Sequence, residues 1–316
     1  MSRPVTISSV TAAPLLIGSD VPLDEVIDLE IADWGKRISA VLPDQPDLIL
    51  LPEAADRPST ELFDADHQRA YYAHRGMRVR DYLAGIAAAN NCNIAYSTVF
   101  VDSDGTRNAT QVIDRTGTVL GDYEKNHVTV PENEETGIRY GSSPVVFDLD
   151  FGRVGAAICF DLNFEELRAQ YVPLRPELMI FSSEYHGSLM QNYWAYSLRC
   201  YFAAAIRPPA PSAMISPLGE TLAESTNYFE RVTQRINLDY AVAHLDGNWD
   251  KLTAAKLKYG PGVTVHDPGR LGSVLITSEL PDTSAADIVA EFEIELLDDM
   301  LARVRGHRAA SLVTAS

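Results

Sequence analysis

Apolar positions along the chain recur with two different periods. Short runs rich in β-branched and aromatic residues, closed by Pro, Gly or Asp, are typical of strands. Such runs predict single strands at residues 4–10, 47–53, 93–100, 177–183 and 230–238. Three runs interrupted by an Asp- or Gly-containing turn predict hairpins at residues 109–125, 144–160 and 212–225.

Helical patterns lie between these strands. Apolar residues three and four positions apart, at Val26, Ile27, Trp34 and Ile38 for example, predict a helix over residues 23–42. Further helices are predicted at residues 67–90, 188–200 and 284–306. The alternation of helices and strands, with hairpins interleaved, indicates an α/β protein with both parallel and antiparallel strand pairing.

A Gly- and Pro-rich stretch at residues 259–273 interrupts the pattern and is typical of a loop. We therefore predict one domain over residues 1–260. Residues 261–316 are expected to form a C-terminal arm and helix that pack at an oligomer interface.

Composition narrows the classes of function. The chain has 316 residues, of which 46% are hydrophobic, so a large core can form. The net charge is −18 and Lys and Arg are not clustered, which argues against a nucleic-acid-binding protein. No apolar run approaches the ~18 residues of a membrane-spanning helix, and no signal peptide is evident. A cytoplasmic protein without a membrane partner is the expectation.

The chain has three cysteines, Cys92, Cys159 and Cys200. An odd number of widely spaced cysteines without a C-x-x-C pair argues against a disulfide framework and against a zinc site. The seven histidines are scattered and no H-E-x-x-H motif occurs. We expect neither a metal nor a cofactor.

Three chemically complementary side chains follow predicted strands. Glu53 is the last residue of the predicted strand at 47–53, Lys125 is the last residue of the hairpin at 109–125, and Cys159 closes an apolar strand. In α/β sheets, sites form where loops gather beyond the strand ends. A carboxylate can take the proton of a thiol, and an ammonium can stabilise an oxyanion. Each residue alone has a simpler interpretation; together they predict nucleophilic catalysis by Cys159, at an elbow where a strand passes into a helix.

The segments around these residues resemble a known family. They read "LLPE" at Glu53, "YEKNH" at Lys125 and "AICFDLNFEELR" at Cys159. Their order and context are similar to the signature blocks of the nitrilase, or carbon–nitrogen hydrolase, superfamily, and the resemblance extends over residues 4–240. It implies a four-layer α-β-β-α sandwich with mixed sheets, a homodimer or higher homo-oligomer, and a small-molecule amide substrate.

The resemblance also implies residue roles. Glu53 would be the general base, Lys125 the oxyanion stabiliser and Cys159 the nucleophile. Many members have a second glutamate before the cysteine block, and three candidates lie in "PENEETGIRYG". Spacing to Gly137 and Gly141 favours Glu135, with Glu134 and Glu132 as alternatives.

Residues beside the nucleophile bear on the bond that is cleaved. Nitrile-cleaving members usually have Trp-Glu after the cysteine, whereas this chain has Phe160 and Asp161. The resemblance therefore implies an amidase or carbamoylase branch, in which the backbone N–H of Phe160 assists Lys125. Asp161 is expected either to support the site from behind or to act as a helix N-cap.

Four residues are substrate-binding candidates. Phe160 adjoins the nucleophile, and Glu184, Tyr185 and His186 follow the predicted strand at 177–183. A polar loop without a role is the simpler interpretation of the last three. Arg175 or Arg207 is a further candidate for pairing with a substrate carboxylate, although both adjoin prolines.

Other functions remain open at this stage. The same three residues could hydrolyse nitriles. Cys159 could instead pair with His186 in a thiol hydrolase, which would leave Glu53 and Lys125 unexplained. An inactive binding homologue is a third possibility.

Overall fold

Two six-stranded sheets contain both parallel and antiparallel strand pairs, as the sequence predicts for this α/β protein. The computed structural model describes residues 2–313. It divides into two units: residues 5–235, and the described residues of 1–4 with 236–316. The sequence predicts this boundary at residue 260, whereas the structure has it earlier in the chain, after residue 235.

The first sheet contains β1 (Pro4–Val10), β2 (Leu48–Leu50), β3 (Asn93–Asp102), β4 (Gly105–Ile113), β5 (Val119–Glu124) and β12 (Arg231–Asn237). Its order is β12-β1-β2-β3-β4-β5. The strands β1, β2 and β3 are parallel, whereas β4 and β5 continue the sheet as antiparallel hairpins. The loop after β2 therefore leaves from the centre of the sheet.

The second sheet contains β6 (Val146–Leu149), β7 (Gly152–Ile158), β8 (Leu178–Ser183), β9 (Tyr201–Ile206), β10 (Ala213–Ile215) and β11 (Thr221–Glu224). Its order is β11-β10-β9-β8-β7-β6, and β7, β8 and β9 are parallel. Parallel strands end at the same edge, so the residues after β7, β8 and β9 are neighbours.

Helices cover the outer face of each sheet. On the first sheet lie α1 (Leu23–Ser39), α2 (Ala65–Arg75) and α3 (Arg78–Asn90), whose apolar side chains share one core with the strands. A short α4 (Val130–Glu134) follows β5. On the second sheet lie α5 (Glu165–Tyr171) and α6 (Leu189–Leu198). The inner faces of the sheets meet, and the Ser182 hydroxyl donates to the Leu51 carbonyl (2.8 Å). The unit is thus a four-layer α-β-β-α sandwich, as predicted.

One predicted helix is two. Residues 67–90 form α2 and α3, separated at Gly76, whose φ is +55°. This left-handed conformation closes a helix end and costs glycine little, because glycine has no Cβ. Gly85 lies inside α3 and does not interrupt it.

The C-terminal residues form a folded unit instead of the predicted arm. It contains β13 (Tyr240–His244), α7 (Trp249–Tyr259), β14 (Val263–His266), β15 (Ser273–Ser278), α8 (Ala285–Glu291) and α9 (Leu297–Val313). The strands form an antiparallel sheet with its own apolar core. The predicted loop at 259–273 contains β14, because its prolines and glycines flank the strand without entering it. The predicted helix at 284–306 is interrupted near Glu293, whose φ is +51°.

Between residues 2 and 313, no helix has both the length and the apolar character needed to cross a bilayer.

A buried ion pair fastens α2 to the first sheet. The Arg75 guanidinium donates to the Asp56 carboxylate (2.6 Å) and to the Val99 carbonyl (2.8 Å). The Tyr96 hydroxyl also donates to Asp56 (2.7 Å). Asp56 and Arg75 are 0% and 2% exposed. Removing one partner of such a pair leaves a buried charge without compensation.

We therefore expect Asp56→Ala to lower the free energy of unfolding by about 3–5 kcal/mol. Urea denaturation followed by circular dichroism measures this change. The matched control is Asp66→Ala, which removes the exposed partner of Arg69 and should have almost no effect. Equal effects of the two substitutions would contradict the prediction.

Candidate active site

Cys159 lies at the junction between a strand and a helical turn. The strand β7 ends at Ile158, and a 3₁₀ helix begins at Cys159 and ends at Asn163. Cys159 has a φ of +48°, which is sparsely populated for residues other than glycine. Strained backbone at an elbow of this kind exposes the side chain of a nucleophile above the sheet edge. The structure thus contains the predicted elbow, with a short 3₁₀ helix in place of an α-helix.

The Asp161 carboxylate holds the elbow against the segment that carries Lys125. It accepts hydrogen bonds from the Ile158 backbone N–H (2.9 Å) and the Tyr123 hydroxyl (2.7 Å). It also accepts one from the His127 backbone N–H (2.8 Å). Asp161 is fully buried and is not the N-cap residue. Of the two predicted roles, the structure therefore favours the one in which Asp161 supports the site from behind, and not the N-cap role.

Glu53 lies in the loop after β2, between the two sheets. It is 3% exposed. Its Oε1 accepts hydrogen bonds from Lys125 Nζ and from Asn108 Nδ2, each at 2.8 Å. Its Oε2 accepts a longer bond from the Glu184 backbone N–H (3.2 Å). Both carboxylate oxygens are therefore held in place from different strands.

Lys125 directly follows β5 and is 1% exposed. Its ammonium donates to Glu53 Oε1 and to Glu132 Oε1, both at 2.8 Å. The Lys125 backbone N–H bonds to the Asn108 carbonyl (2.9 Å), and the Lys125 carbonyl accepts from the Gly141 N–H (2.8 Å). The side chain and the backbone are thus both held, as an oxyanion donor requires.

The second glutamate that contacts Lys125 is Glu132. Glu135, which the sequence favours, lies elsewhere. Thr129 and Glu132 form a capping box at the start of α4, which turns the Glu132 carboxylate back toward Lys125. Glu134 and Glu135 are both exposed at the end of the same helix. The spacing to Gly137 and Gly141 favours the wrong glutamate. The capped first turn of α4 directs Glu132, three positions before Glu135, toward Lys125.

The charges of these groups affect one another. Burial opposes the charge on Lys125, but Glu53, Cys159 and Glu132 together raise its pKa above the ordinary value. Burial also raises the pKa of the Cys159 thiol, as does the Glu53 carboxylate, and Lys125 offsets this only in part. The raised pKa favours the thiol form of Cys159 at neutral pH.

Two side chains act on the pKa of the Cys159 thiol from close by. The carboxylate of Glu53 raises it, and the hydroxyl of Ser183 lowers it. Ser183 ends β8, the strand beside β7. The thiol thus lies next to a carboxylate that can accept its proton as the sulfur attacks.

The substrate-binding candidates differ in what their side chains contact. Phe160 is 36% exposed and contacts the Phe164 ring edge-to-face. Tyr185 lies near Cys159, and its hydroxyl accepts from Asn163 Nδ2 (3.3 Å). The Glu184 side chain pairs with Arg57 and Arg207. These placements leave Phe160 and Tyr185 beside the reacting sulfur.

His186 has a different environment. Its Nδ1 accepts a bond from the Ser188 backbone N–H (3.1 Å) within the same loop. Within residues 2–313, no hydrogen bond joins His186 to Cys159. Arg175, the other arginine considered for a substrate carboxylate, is exposed after α5.

Sequence patterns do not reveal every residue of the site. Asn108 lies in the middle of β4 and bonds to Glu53, and no local signal marks it. Ser183 ends β8, so the rule that finds Glu53, Lys125 and Cys159 could have found it. In the described part of the chain, no group of His, Cys, Asp or Glu side chains could hold a metal ion.

The fold and the site together define a class of protein. A four-layer sandwich that carries Glu, Lys and Cys beyond its strand ends is the arrangement of the nitrilase superfamily. A model of the carbon–nitrogen hydrolase family matches residues 31–243, more than half of the chain. The chain belongs to the carbon–nitrogen hydrolase family.

Individual relatives are distant. The chain is 35% identical over 91 residues to a probable hydrolase, YhcX, of Bacillus subtilis, covering 28% of this chain and 18% of that protein. It is 27% identical over 165 residues to Omega-amidase NIT2 of Xenopus tropicalis, covering 44% of this chain and 59% of that protein. The chain thus spans less than two thirds of either relative.

A solved structure supports the fold. The carbon–nitrogen hydrolase from Helicobacter pylori superposes with a TM-score of 0.62 at 15% identity. The superposition covers 75% of this chain and 90% of that chain.

The environment of Cys159 predicts its reactivity. We expect iodoacetamide to label Cys159 faster than Cys92 or Cys200 in the native protein, because the other two thiols are fully buried. Since burial and Glu53 raise the pKa of Cys159, its labelling rate should continue to rise above about pH 9, where an unperturbed cysteine approaches its plateau. Timed quenching and peptide mass spectrometry measure the rates. Equal labelling of the three cysteines, or a Cys159 rate already constant at pH 7, would contradict this prediction.

Proposed function

We propose that this protein hydrolyses a non-peptide C–N bond of a small amide or N-carbamoyl substrate through a Cys159 thioester. One observation carries the proposal: Glu53 bonds to Lys125 at 2.8 Å while it also lies within reach of the Cys159 thiol. A base, a nucleophile and a cation thus meet at one buried point. Membership of the carbon–nitrogen hydrolase family supports the same reaction class.

In the first half of the reaction, the Cys159 sulfur attacks the substrate carbonyl carbon. The thiol proton passes to Glu53 as the C–S bond forms. The carbonyl oxygen becomes an anion, which the Lys125 ammonium and the Phe160 backbone N–H stabilise. Glu53 then gives its proton to the substrate nitrogen, the C–N bond breaks, and ammonia or an amine leaves.

In the second half, water hydrolyses the thioester. Glu53 takes a proton from the water, the water oxygen attacks the thioester carbon, and the same two donors hold the oxyanion. The C–S bond breaks and the proton returns to the Cys159 sulfur. Because the resting cysteine is a thiol, Glu53 is needed as a base in both halves.

Glu132 contributes through Lys125. Its carboxylate lies 2.8 Å from the ammonium, on a side chain that the α4 capping box fixes. Two carboxylates around one ammonium keep it charged and restrict its position. Glu132 is therefore a positioning residue for the oxyanion donor in this proposal.

Tyr185 and Phe160 are proposed as walls of the substrate pocket, since both lie beside Cys159. Omega-amidase NIT2 of Xenopus tropicalis, named above, favours an amide as the substrate class. The homodimer implied by the family resemblance stays a prediction.

The rates of two alanine variants separate this mechanism from a Cys–His hydrolase. Lys125→Ala should reduce kcat/KM for amide hydrolysis by roughly 10²-fold or more, since one oxyanion donor is lost. His186→Ala should reduce it much less, because His186 bonds within its own loop. Ammonia release from a panel of amides and carbamoyl amino acids measures both.

Cys159→Ala is the control for enzyme-derived turnover and should abolish ammonia release. Circular dichroism establishes that each variant is folded. A larger loss in His186→Ala than in Lys125→Ala would favour the Cys–His mechanism.

Matched amide and nitrile substrates test the bond that is cleaved. A nitrile becomes a thioimidate on attack, whereas an amide becomes tetrahedral with a negative charge on oxygen. Lys125 and the Phe160 N–H suit the second case. We therefore expect a higher kcat/KM for each amide than for its nitrile. Steady-state assays on such pairs decide the question, and a preference for the nitrile would refute it.

A further inference from the structure

Arg207 directly follows β9 and connects the second sheet to the loop that carries Glu53. We propose that Arg207 and Glu184 form a positioning pair that fixes Glu53 toward Cys159. The inference rests on the proposed role of Glu53 as the base. Arg207 is only 5% exposed, so its charge is committed to the protein interior.

The guanidinium of Arg207 binds the backbone at Glu53 and at the two residues that follow it. Its Nε donates to the Glu53 carbonyl (3.2 Å). One terminal nitrogen donates to the Ala12 carbonyl (3.2 Å), and the other donates to the carbonyls of Ala54 and Ala55. A single side chain thus holds three successive carbonyls of the base-bearing loop.

The backbone conformation explains why three carbonyls converge. Ala54 has a φ of +46°, in the left-handed region. This conformation is sterically unfavourable for a residue with a Cβ. It folds the loop so that neighbouring carbonyls face the same side, where they need a donor. The Trp34 Nε1–H also donates to the Ala55 carbonyl (3.1 Å). Arg207 and Trp34 therefore stabilise a strained turn immediately after Glu53.

Glu184 completes the link at the other end of the Glu53 side chain. Its carboxylate forms ion pairs with Arg207, at 3.1 Å between Oε1 and Nε, and with Arg57. Its backbone N–H donates to Glu53 Oε2 (3.2 Å). Arg207 thus acts on the base twice, through the Glu53 carbonyl and through the residue that bonds to its carboxylate.

The contacts of Arg207 and Glu184 distinguish a positioning role from substrate recognition. Arg207 directs its donors at four carbonyls and one carboxylate, which leaves it poorly placed to bind a substrate carboxylate. Glu184 likewise uses its carboxylate on two arginines. A positioning pair should change kcat and the reactivity of Cys159, whereas a substrate contact should change KM.

The experiment uses the rate of Cys159 alkylation by iodoacetamide at pH 7.5 as the main readout. In Arg207→Lys, which keeps the cation but loses the planar fork, the rate should rise several-fold while Cys92 and Cys200 stay unlabelled, because a displaced Glu53 carboxylate no longer raises the pKa of the Cys159 thiol. Arg207→Met should show a larger rise. Arg153→Met, at the opposite end of β7 and exposed, is the matched control and should match the wild type.

Glu184→Gln provides an independent arm. It keeps the backbone N–H that bonds to Glu53 but weakens the pairing with Arg207. Its rise in rate should be smaller than that of Arg207→Lys. In the double variant the two rises should be less than multiplicative, because both residues act on one group.

Alkylation needs no amide turnover, so the inference and the proposed function can fail separately. If amides are not hydrolysed but alkylation speeds up as expected, the proposed function is wrong and the positioning pair stands. If Arg207→Lys and Glu184→Gln unfold at the wild-type temperature and Cys159 alkylates at the wild-type rate, the positioning pair is overturned. A rise in KM with unchanged kcat would also overturn it, in favour of substrate binding.

Discussion

The need to compensate one buried cation organises the site. The Lys125 ammonium is almost completely removed from water, where an isolated charge is very costly. It is tolerated because two carboxylates lie 2.8 Å away. One comes from the loop after β2 and the other from the first turn of α4. The ends of β2 and β5 must therefore meet the first turn of α4. Cys159 is brought to the same point from the second sheet.

The sequence predicts the framework of this arrangement well. Most strands of the sandwich were predicted close to their bounds, because buried parallel strands and Gly-containing turns leave strong local patterns. Glu53, Lys125 and Cys159 were predicted from their positions after strands, and the structure brings them together. Their roles in catalysis stay predictions. The C-terminal sheet was missed because its short strands lie among prolines and glycines, which dominate the local pattern.

What the sequence could not predict depends on neighbours in space. Glu132 and Glu135 are both acids in one short segment, and only the cap of α4 determines which of them reaches Lys125. Asn108 contacts Glu53 across the sheet without a local signal. The pKa of Cys159 depends on the balance of burial, Glu53 and Lys125, which are set by the three-dimensional fold and not by the local sequence.

The left-handed backbone at Cys159 implies a compromise between stability and chemistry. Glycine adopts this conformation without the steric cost that a Cβ introduces, so selection for folding stability alone would favour glycine at this elbow. A cysteine there keeps a conformational cost in the folded state, which the hydrogen bonds of Asp161 help to offset. The rest of the sandwich must supply surplus stability to retain a sulfur atom at this position. Destabilising substitutions elsewhere in the sandwich would lower the free energy of unfolding. They would therefore reduce the surplus stability that allows the left-handed backbone at Cys159 to persist.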